Sequence, residues 1–242
     1  MLSLENLSLG VRENEADIEI IKNITLEFPD DRFIAITGPN GGGKSTLARL
    51  IAGIRPPSAG KILLDGEDIT NLGVTERARL GISFAFQQPV RFKGLQVKDL
   101  IRIAAGRDLS IVEACEYLSA VGLCARDYID REINASLSGG ELKRIEIATV
   151  LARGTRISVF DEPEAGIDLW SFQNLIQVFR KMRETLKGTI IIISHQERIL
   201  EIADNIVVIS GGEVSAEGMK DEILPRLLGS GDASLSCDRL IS

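Results

Sequence analysis

Residues 38–46 read Gly38-Pro39-Asn40-Gly41-Gly42-Gly43-Lys44-Ser45-Thr46, and this stretch is the strongest indicator of the fold. It follows an apolar run at 33–36 that is typical of a strand, and a helical pattern begins just after it at Leu47. A glycine, four residues and then Gly-Lys-Ser is the Walker A spacing of phosphate-binding loops. In such a loop the glycines let backbone N–H groups surround a phosphate chain at the positive end of a helix. We therefore expect all nine residues to bind a nucleotide, with Lys44 at the β- and γ-phosphates and Ser45 on Mg²⁺.

The composition limits the kinds of partner. The chain has 242 residues, a formal net charge of −7 and a pI near 5.0, so it lacks the basic character of most nucleic-acid-binding proteins. The longest aliphatic run, at 190–193, is far shorter than the roughly 20 residues that span a bilayer. The N-terminal residues lack the basic and then apolar profile of a signal peptide. We expect a cytoplasmic protein with no nucleic-acid partner and no direct membrane insertion.

The cysteines give no sign of a metal site. Cys115, Cys124 and Cys237 are far apart in the sequence, and the chain has a single histidine, His195. No C-x-x-C pair is present, so no zinc or iron–sulfur ligand set is visible. We expect two buried free cysteines and one in a C-terminal tail, which suits a reducing compartment.

The apolar periodicity predicts an α/β fold with a mixed sheet. Alternating apolar residues before the loop are typical of an antiparallel β part, and alternating strand and helix patterns after residue 150 indicate a mostly parallel sheet. Between them lies a run of helical spacing. We predict a nucleotide-binding core at 1–88 and 151–228, a helical insertion at 89–150 and a mobile tail at 229–242.

Two further motifs bear on the chemistry of a nucleotide site. Gln87 follows a strand, where it is placed to touch Mg²⁺ or an attacking water, although a glutamine at a strand end is usually only solvated. The run Leu137-Ser138-Gly139-Gly140-Glu141 opens a helix, whose free amides and positive end favour an anion. The alternative for this run is an ordinary helix start, in which Ser138 and Glu141 form a capping box.

Acidic residues and a histidine follow two other predicted strands. Asp161 ends an apolar strand, where a carboxylate is costly unless it meets a cation, so it is a candidate for holding Mg²⁺. Glu162 is placed to act as the general base for water; the alternative is a pair of solvated acids. His195 follows the strand at 190–193, and we expect it at the same sheet edge as the phosphate loop, where open α/β sheets bind ligands.

Together these motifs resemble the nucleotide-binding subunit of the ATP-binding cassette (ABC) family, and the resemblance extends to about residue 218. The family motifs occur in the family order: Walker A at 38–46, Q-loop Gln87, signature 137–141, Walker B Asp161-Glu162, D-loop with Asp168, and switch His195. The resemblance implies a RecA-like core, ATP and Mg²⁺ as ligands, and hydrolysis of ATP to ADP and phosphate. Catalytic roles follow for Lys44, Glu162 and His195, and Mg²⁺ contacts for Ser45, Gln87 and Asp161.

The resemblance also implies that one chain holds half of a site. In the family, the signature of one subunit closes over the ATP bound to the Walker A loop of another. Leu137 to Glu141 would thus act in trans in an ATP-dependent head-to-tail homodimer, with Asp168 coupling the two halves. Physically, charge on three equatorial phosphate oxygens needs donors from several directions.

Details of these motifs favour one branch of the family. Transport motors usually have Gln, Pro and Asp where this chain has Glu141, Leu169 and Gln196. These residues and their flanks look similar to SufC, the soluble ATPase of Suf iron–sulfur cluster assembly, which implies a SufB/SufD-type scaffold as partner. The alternative is the motor subunit of a membrane transporter. Family analogy places the partner near residues 87–93 and the helical insertion, where Pro89, Val90 and Phe92 form an apolar patch or simply pack against the core.

The N-terminal part departs from the family at the base-binding position. Family members usually place an aromatic residue there to stack on adenine, yet residues 1–27 contain no Phe, Tyr, Trp or His. Val11 lies near the matching position. We therefore expect weaker stacking on the base and loose discrimination between ATP and GTP.

Overall fold

The computed structural model describes residues 1–13, 16–88, 90–134, 136–185 and 187–229. Its strands are β1 (Leu2–Glu13), β2 (Ala16–Phe28), β3 (Phe33–Thr37), β4 (Ala59–Leu64), β5 (Glu67–Asp68), β6 (Ile82–Ala85), β7 (Ile157–Asp161), β8 (Thr189–Ile193), β9 (Asn205–Ser210) and β10 (Glu213–Met219). Its helices are α1 (Lys44–Ile51), α2 (Val74–Arg79), α3 (Val97–Ala105), α4 (Ile111–Ala120), α5 (Ala125–Tyr128), α6 (Gly139–Arg153), α7 (Leu169–Thr185), α8 (Glu197–Leu200) and α9 (Lys220–Gly229).

The larger sheet has the strand order β10-β9-β3-β8-β7-β6. All of its pairs are parallel except β10 with β9, which form the hairpin expected near the end of the chain. Because the carboxyl ends of parallel strands meet at one edge, the segments after β3, β6, β7 and β8 lie side by side. The smaller sheet, β2-β1-β4-β5, is antiparallel, as expected for the N-terminal part.

The larger sheet is covered on both faces, and strand β3 shows why. Its five residues are all buried, and the first four alternate between two apolar cores. Phe33 and Ala35 face the core that the helices α3, α4, α6 and α7 complete. Ile34 and Ile36 face the core shared with α1 and the smaller sheet. A strand buried on both faces reads as a continuous apolar run, which explains the pattern at 33–36.

Helices α3 to α6 form the insertion between β6 and β7. Gly106 ends α3 in the left-handed conformation (φ 64°), which accounts for the break in helical spacing seen in the sequence. Helix α6 ends at Arg153, three residues after the predicted boundary at 150. The division into a core and a helical insertion with these limits stays a proposal.

Three sequence-based expectations concern the surface and the chain end. The expectation of two buried cysteines is wrong, because Cys124 is exposed and Cys115 is only half-buried. The predicted tail starts at Gly229, which is the last residue of α9, and residues 230–242 lie outside the described part of the chain. Within that part, every helix is too short or too polar to cross a bilayer.

Candidate functional site

Residues 38–46 form the phosphate loop, which leads from β3 into the first turn of α1. At two positions in this loop, the neighbouring backbone leaves room only for glycine. Gly38 has φ 132°, and a Cβ there would lie 2.0 Å from the carbonyl oxygen of Ile209. Gly43 has φ 102°, and its Cβ would lie 3.0 Å from the carbonyl oxygen of Ile20. Both angles are unfavourable for L residues with side chains. The loop is therefore tightly packed between β2 and β9.

Lys44 is the first residue of α1, and its side chain folds back over the loop. Its Nζ donates hydrogen bonds of 2.9 Å to the carbonyl oxygens of Gly38 and Pro39. The residue is buried, and this desolvation lowers the pKa of Lys44, while the nearby carboxylates of Glu162 and Asp161 act in the opposite direction. An ammonium has three donors, so it can bridge loop carbonyls and a phosphate oxygen.

Ser45 and Asp161 meet at the end of the loop. The Ser45 hydroxyl donates a 2.7 Å hydrogen bond to Oδ1 of Asp161, the last residue of β7. Asp161 is 1% exposed, and burial raises the pKa of its carboxyl, partly offset by the bond from Ser45. A hydroxyl and a carboxylate oxygen this close are the donor set that Mg²⁺ takes beside a phosphate loop. The residues present therefore fit this ion.

Gln87 and Glu162 form a second pair at the same edge. Nε2 of Gln87 donates a 2.6 Å hydrogen bond to Oε2 of Glu162. Glu162 has φ 45°, and its N–H donates to the carbonyl of Ile193 in β8. A left-handed glutamate is uncommon and often marks a functional position. Gln87 thus contacts the expected general base rather than Ser45 or Asp161.

Glu162 also faces the loop across a cleft of about 160 Å³. The cleft is lined by Ile20, by residues 40–46 and by Glu162. No residue of the run 137–141 is among these lining residues in the described part of the chain. Within the described part of one chain, the cleft is therefore lined by the phosphate loop, Ile20 and Glu162 without the signature.

His195 is exposed directly after β8, at the edge predicted for it. The buried residue before it, Ser194, donates to Glu164 and accepts a 3.0 Å hydrogen bond from the backbone N–H of Gln196. Burial raises the pKa of Glu164, partly offset by the bond from Ser194. The buried carboxyl group of Glu164 therefore contacts the segment that carries His195 through Ser194.

The signature residues open α6, and the capping box considered as the alternative for them is present, while anion binding there stays a prediction. Ser138 and Glu141 form the capping box: Glu141 N–H donates to Ser138 Oγ at 3.3 Å, and Ser138 N–H donates to Glu141 Oε2 at 2.7 Å. The hydroxyl of Tyr128 also donates to Glu141. Leu137 is buried in the helical core, whereas Ser138 and Gly139 are exposed. A cap does not conflict with anion binding, since the free helix-start amides remain at the surface.

Two other predicted residues, Asp168 and Val11, are not among the residues that line this cleft in the described part of the chain. Asp168 precedes α7 and accepts a 3.0 Å hydrogen bond from the N–H of Ser171, as a helix cap does. Val11 pairs with Ile18 in the β1–β2 hairpin, whereas the hairpin residue that lines the cleft is Ile20. The role of Val11 as a platform for the base stays a prediction.

Three mostly buried residues that contact segments of the site were not predicted from the sequence. Glu164 and the ion pair of Lys143 with Glu146 are mostly buried and contact the segments of His195 and Gln87. The spacing of Lys143 and Glu146 along α6 does not indicate that they are buried, because a Lys and a Glu at i and i+3 are usual on a solvated helix face. Only the packing of the helix shows that they are inside.

The sequence profile described as "ABC transporter" matches residues 21–165 of this chain. The chain belongs to this family. An uncharacterised ABC transporter ATP-binding protein of Methanocaldococcus jannaschii is 39% identical over 214 residues, which cover 85% of each chain. The sulfate/thiosulfate import ATP-binding protein CysA of Synechocystis is 33% identical over 88% of this chain, which spans only 60% of that relative.

Solved structures agree with this assignment. A dimeric ATP-binding cassette in a post-hydrolysis state, bound to ADP and Pi, superposes with a TM-score of 0.80 at 26% identity and covers 91% of this chain and 99% of its own. The cbiO1 protein of Clostridium perfringens, part of an ABC transporter complex, has a TM-score of 0.76 at 28% identity, over 93% of this chain and 91% of its own. The protein is an ABC-type P-loop ATPase that binds and hydrolyses ATP.

Proposed function

We propose that this ATPase works as a head-to-tail homodimer and is the ATP-driven subunit of an ABC membrane transporter. The observation that carries the dimer is the division of the site. The cleft at the phosphate loop is lined by residues 40–46 and Glu162, while Ser138 and Gly139 are exposed on α6. A two-fold dimer that places the signature of one chain over the loop of the other completes both sites.

Within each site, the residues have distinct tasks. The loop amides and Lys44 bind the β- and γ-phosphates, and Ser45 with Asp161 would hold Mg²⁺, which when bound neutralises charge on the phosphates. Glu162 accepts the proton of the attacking water, and Gln87 orients that carboxylate through its 2.6 Å hydrogen bond. His195 contacts the γ-phosphate from β8. Ser138 to Gly140 of the second chain donate to the same phosphate from the opposite side.

An apolar groove beside Gln87 supports a docking partner. It has a volume of about 170 Å³ and lies between the strand β6, the following loop and α6. Among its lining residues Phe86, Val90 and Phe92 are 43%, 49% and 37% exposed. Pro89, expected in the same patch, lies outside the described residues. Exposed aromatic and aliphatic side chains around a concavity are typical of protein–protein contacts.

The names of the relatives favour a membrane subunit of a transporter as the partner that binds this groove. Several of them are called import ATP-binding proteins, and one solved neighbour is part of an ABC transporter complex. A soluble scaffold of the SufB/SufD type is the second candidate. One observation favours it: Glu141, Leu169 and Gln196 stand where transport motors usually carry other residues.

Affinity capture from membrane and soluble fractions distinguishes the two partners. We expect the tagged protein to retain an integral membrane protein from detergent-solubilised membranes, and Val90→Glu to lose it because a charge enters the apolar groove. Val74→Glu, at an equally exposed position on α2, is the matched control. Capture of a soluble β-rich protein instead, lost in the same variant, would support the scaffold and refute the transporter role.

A further inference from the structure

Helix α6 holds the start of the Q-loop through a buried ion pair. Lys143 and Glu146 lie one turn apart on α6, with 3.0 Å between Nζ and Oε2. The Lys143 side chain is 2% exposed and that of Glu146 is 16% exposed. Both contact the residue before Gln87, which is Phe86.

The contacts close a ring around the backbone of Phe86. Its N–H donates to Oε1 of Glu146 at 3.0 Å, and its carbonyl oxygen accepts from Nζ of Lys143. The two polar groups of one peptide segment are thus bound by the two ends of one ion pair. Phe86 follows the last residue of β6, so these bonds fix where the chain leaves the sheet.

Stability alone does not explain this arrangement. A buried ammonium and carboxylate lose their hydration, and a volume-matched apolar pair is often as stable or more stable. Burial raises the pKa of Glu146, with the charge of Lys143 acting against this shift. The pair is therefore better explained by the geometry that it imposes.

We infer that Lys143 and Glu146 are positioning residues that tie Gln87, and through it Glu162, to the helix bearing the signature. This inference rests on the roles proposed above for Gln87 and Glu162. The path is continuous: the ion pair binds Phe86, the next residue Gln87 binds Glu162, and α6 begins at the signature. Glu146 also lines the apolar groove and is its only charged residue in the described part of the chain, so a docked partner lies against the same pair.

The test separates position from stability. In Lys143→Met/Glu146→Met the two charges are replaced by apolar side chains of similar length, so we expect the urea midpoint to stay near that of the wild type. We expect kcat for ATP hydrolysis to fall by about 10-fold or more, because misplacing a catalytic group by about 1 Å can cost up to about 100-fold. KM for ATP should change little, since residues 38–46 are untouched. Lys98→Met/Asp130→Met removes an exposed ion pair of the same helical region as a matched control.

Further variants make the result decisive. Glu146→Gln removes the charge with a minimal change of shape and should also lower kcat. Lys143→Arg keeps a donor for Phe86 and should retain most of the wild-type kcat. Adding the double substitution to Gln87→Ala should cause little further loss, because both act on one path. Wild-type kcat in the double variant or in Glu146→Gln overturns the inference. A fully active Gln87→Ala would instead refute the proposed role of Gln87, which is a distinguishable failure.

Discussion

At the scale of single residues, four polar side chains meet at one edge of the larger sheet. Lys44, Ser45, Asp161 and Glu162 lie together around the phosphate loop, because each follows or ends a buried strand of one parallel sheet. Strand ends are visible in a sequence as apolar runs that stop at a polar residue. Glu164 was not predicted, because nothing in its sequence context distinguishes a buried carboxylate from a solvated one.

Glu162→Gln tests the general base. The amide is nearly the same size as the carboxylate but does not accept the proton of water, so we expect ATP binding to persist and turnover to be nearly lost. The variant should accumulate as an ATP-bound dimer, measured by size-exclusion chromatography alongside phosphate release. Glu197→Gln, at an exposed position on α8, should behave as the wild type. Normal hydrolysis in Glu162→Gln would remove this residue from the mechanism.

Val11→Ala tests the base platform. If Val11 lies against the base, losing two methyl groups should weaken ATP and GTP to a similar and small degree, because an aliphatic side chain offers little stacking preference. Fluorescent nucleotide titration measures both affinities. Val74→Ala removes the same groups from a half-exposed position on α2. Equal losses in the two variants would count against Val11.

Glu164→Gln tests the buried acid through the pH dependence of stability. The pKa of Glu164 is raised from 4.5, chiefly by burial, so the folded state holds its proton more tightly than the unfolded state. The unfolded chain therefore releases this proton first, and the free energy of unfolding falls as the pH rises above 4.5 until the raised pKa is passed.

An uncharged amide lacks this contribution. We expect Glu164→Gln to lose less stability than the wild type between about pH 5 and pH 8, as measured by urea unfolding at both values. Glu201→Gln, at an exposed site, should keep the wild-type dependence. Parallel curves for Glu164→Gln and the wild type would show that the carboxyl of Glu164 titrates normally.

At the scale of elements, the helix after the phosphate loop depends on a residue from another helix. Arg77 of α2 is 1% exposed, and its guanidinium donates to the carbonyl oxygens of Leu50 and Ile51 at 2.7 and 2.9 Å. It also donates to the carbonyls of Thr70 and Leu72. Burial lowers the pKa of Arg77 to about 10. The bonds to Leu50 and Ile51 cap carbonyls at the end of α1, of which that of Leu50 also accepts from the N–H of Gly53.

Arg77→Met should therefore destabilise the fold. The apolar chain fills the space but removes the donor to the carbonyls of Leu50, Ile51, Thr70 and Leu72, so we expect the free energy of unfolding to fall by about 3 kcal/mol. Urea unfolding followed by circular dichroism measures the loss. Arg79→Met, on the exposed side of the same helix, should change the stability by less than about 0.5 kcal/mol. Similar losses in both variants would contradict the capping role.

At the scale of the whole molecule, the cleft at the phosphate loop is lined without any residue of the signature in the described part of the chain. A mixture of Lys44→Ala and Ser138→Arg chains tests this arrangement, since each variant alone lacks one half of every site. In a mixed dimer the intact Lys44 of one chain meets the intact Ser138 of the other. Random pairing predicts about a quarter of the wild-type ATPase rate for the mixture. A mixture as inactive as the separate variants would refute completion in trans.

The fold class, the phosphate loop and the polar residues at the strand ends were predictable from the sequence alone. This was possible because these features depend on local order: a glycine spacing, an apolar run and the residue that follows it. The capping box at Ser138 and Glu141, which the sequence left open as the alternative for this run, is local in the same way, because capping acts over four consecutive residues.

Which polar residues are buried, and which groups they contact, is visible only in the folded structure. Lys143 and Glu146 contact Phe86 from 57 and 60 residues away, and Arg77 reaches α1 from 26 and 27 residues away. The cost of burying a charge depends on partners brought together by folding, and these partners have no fixed spacing along the chain. The physical environment of a side chain is thus set by the packing of distant elements, and a linear pattern does not record it.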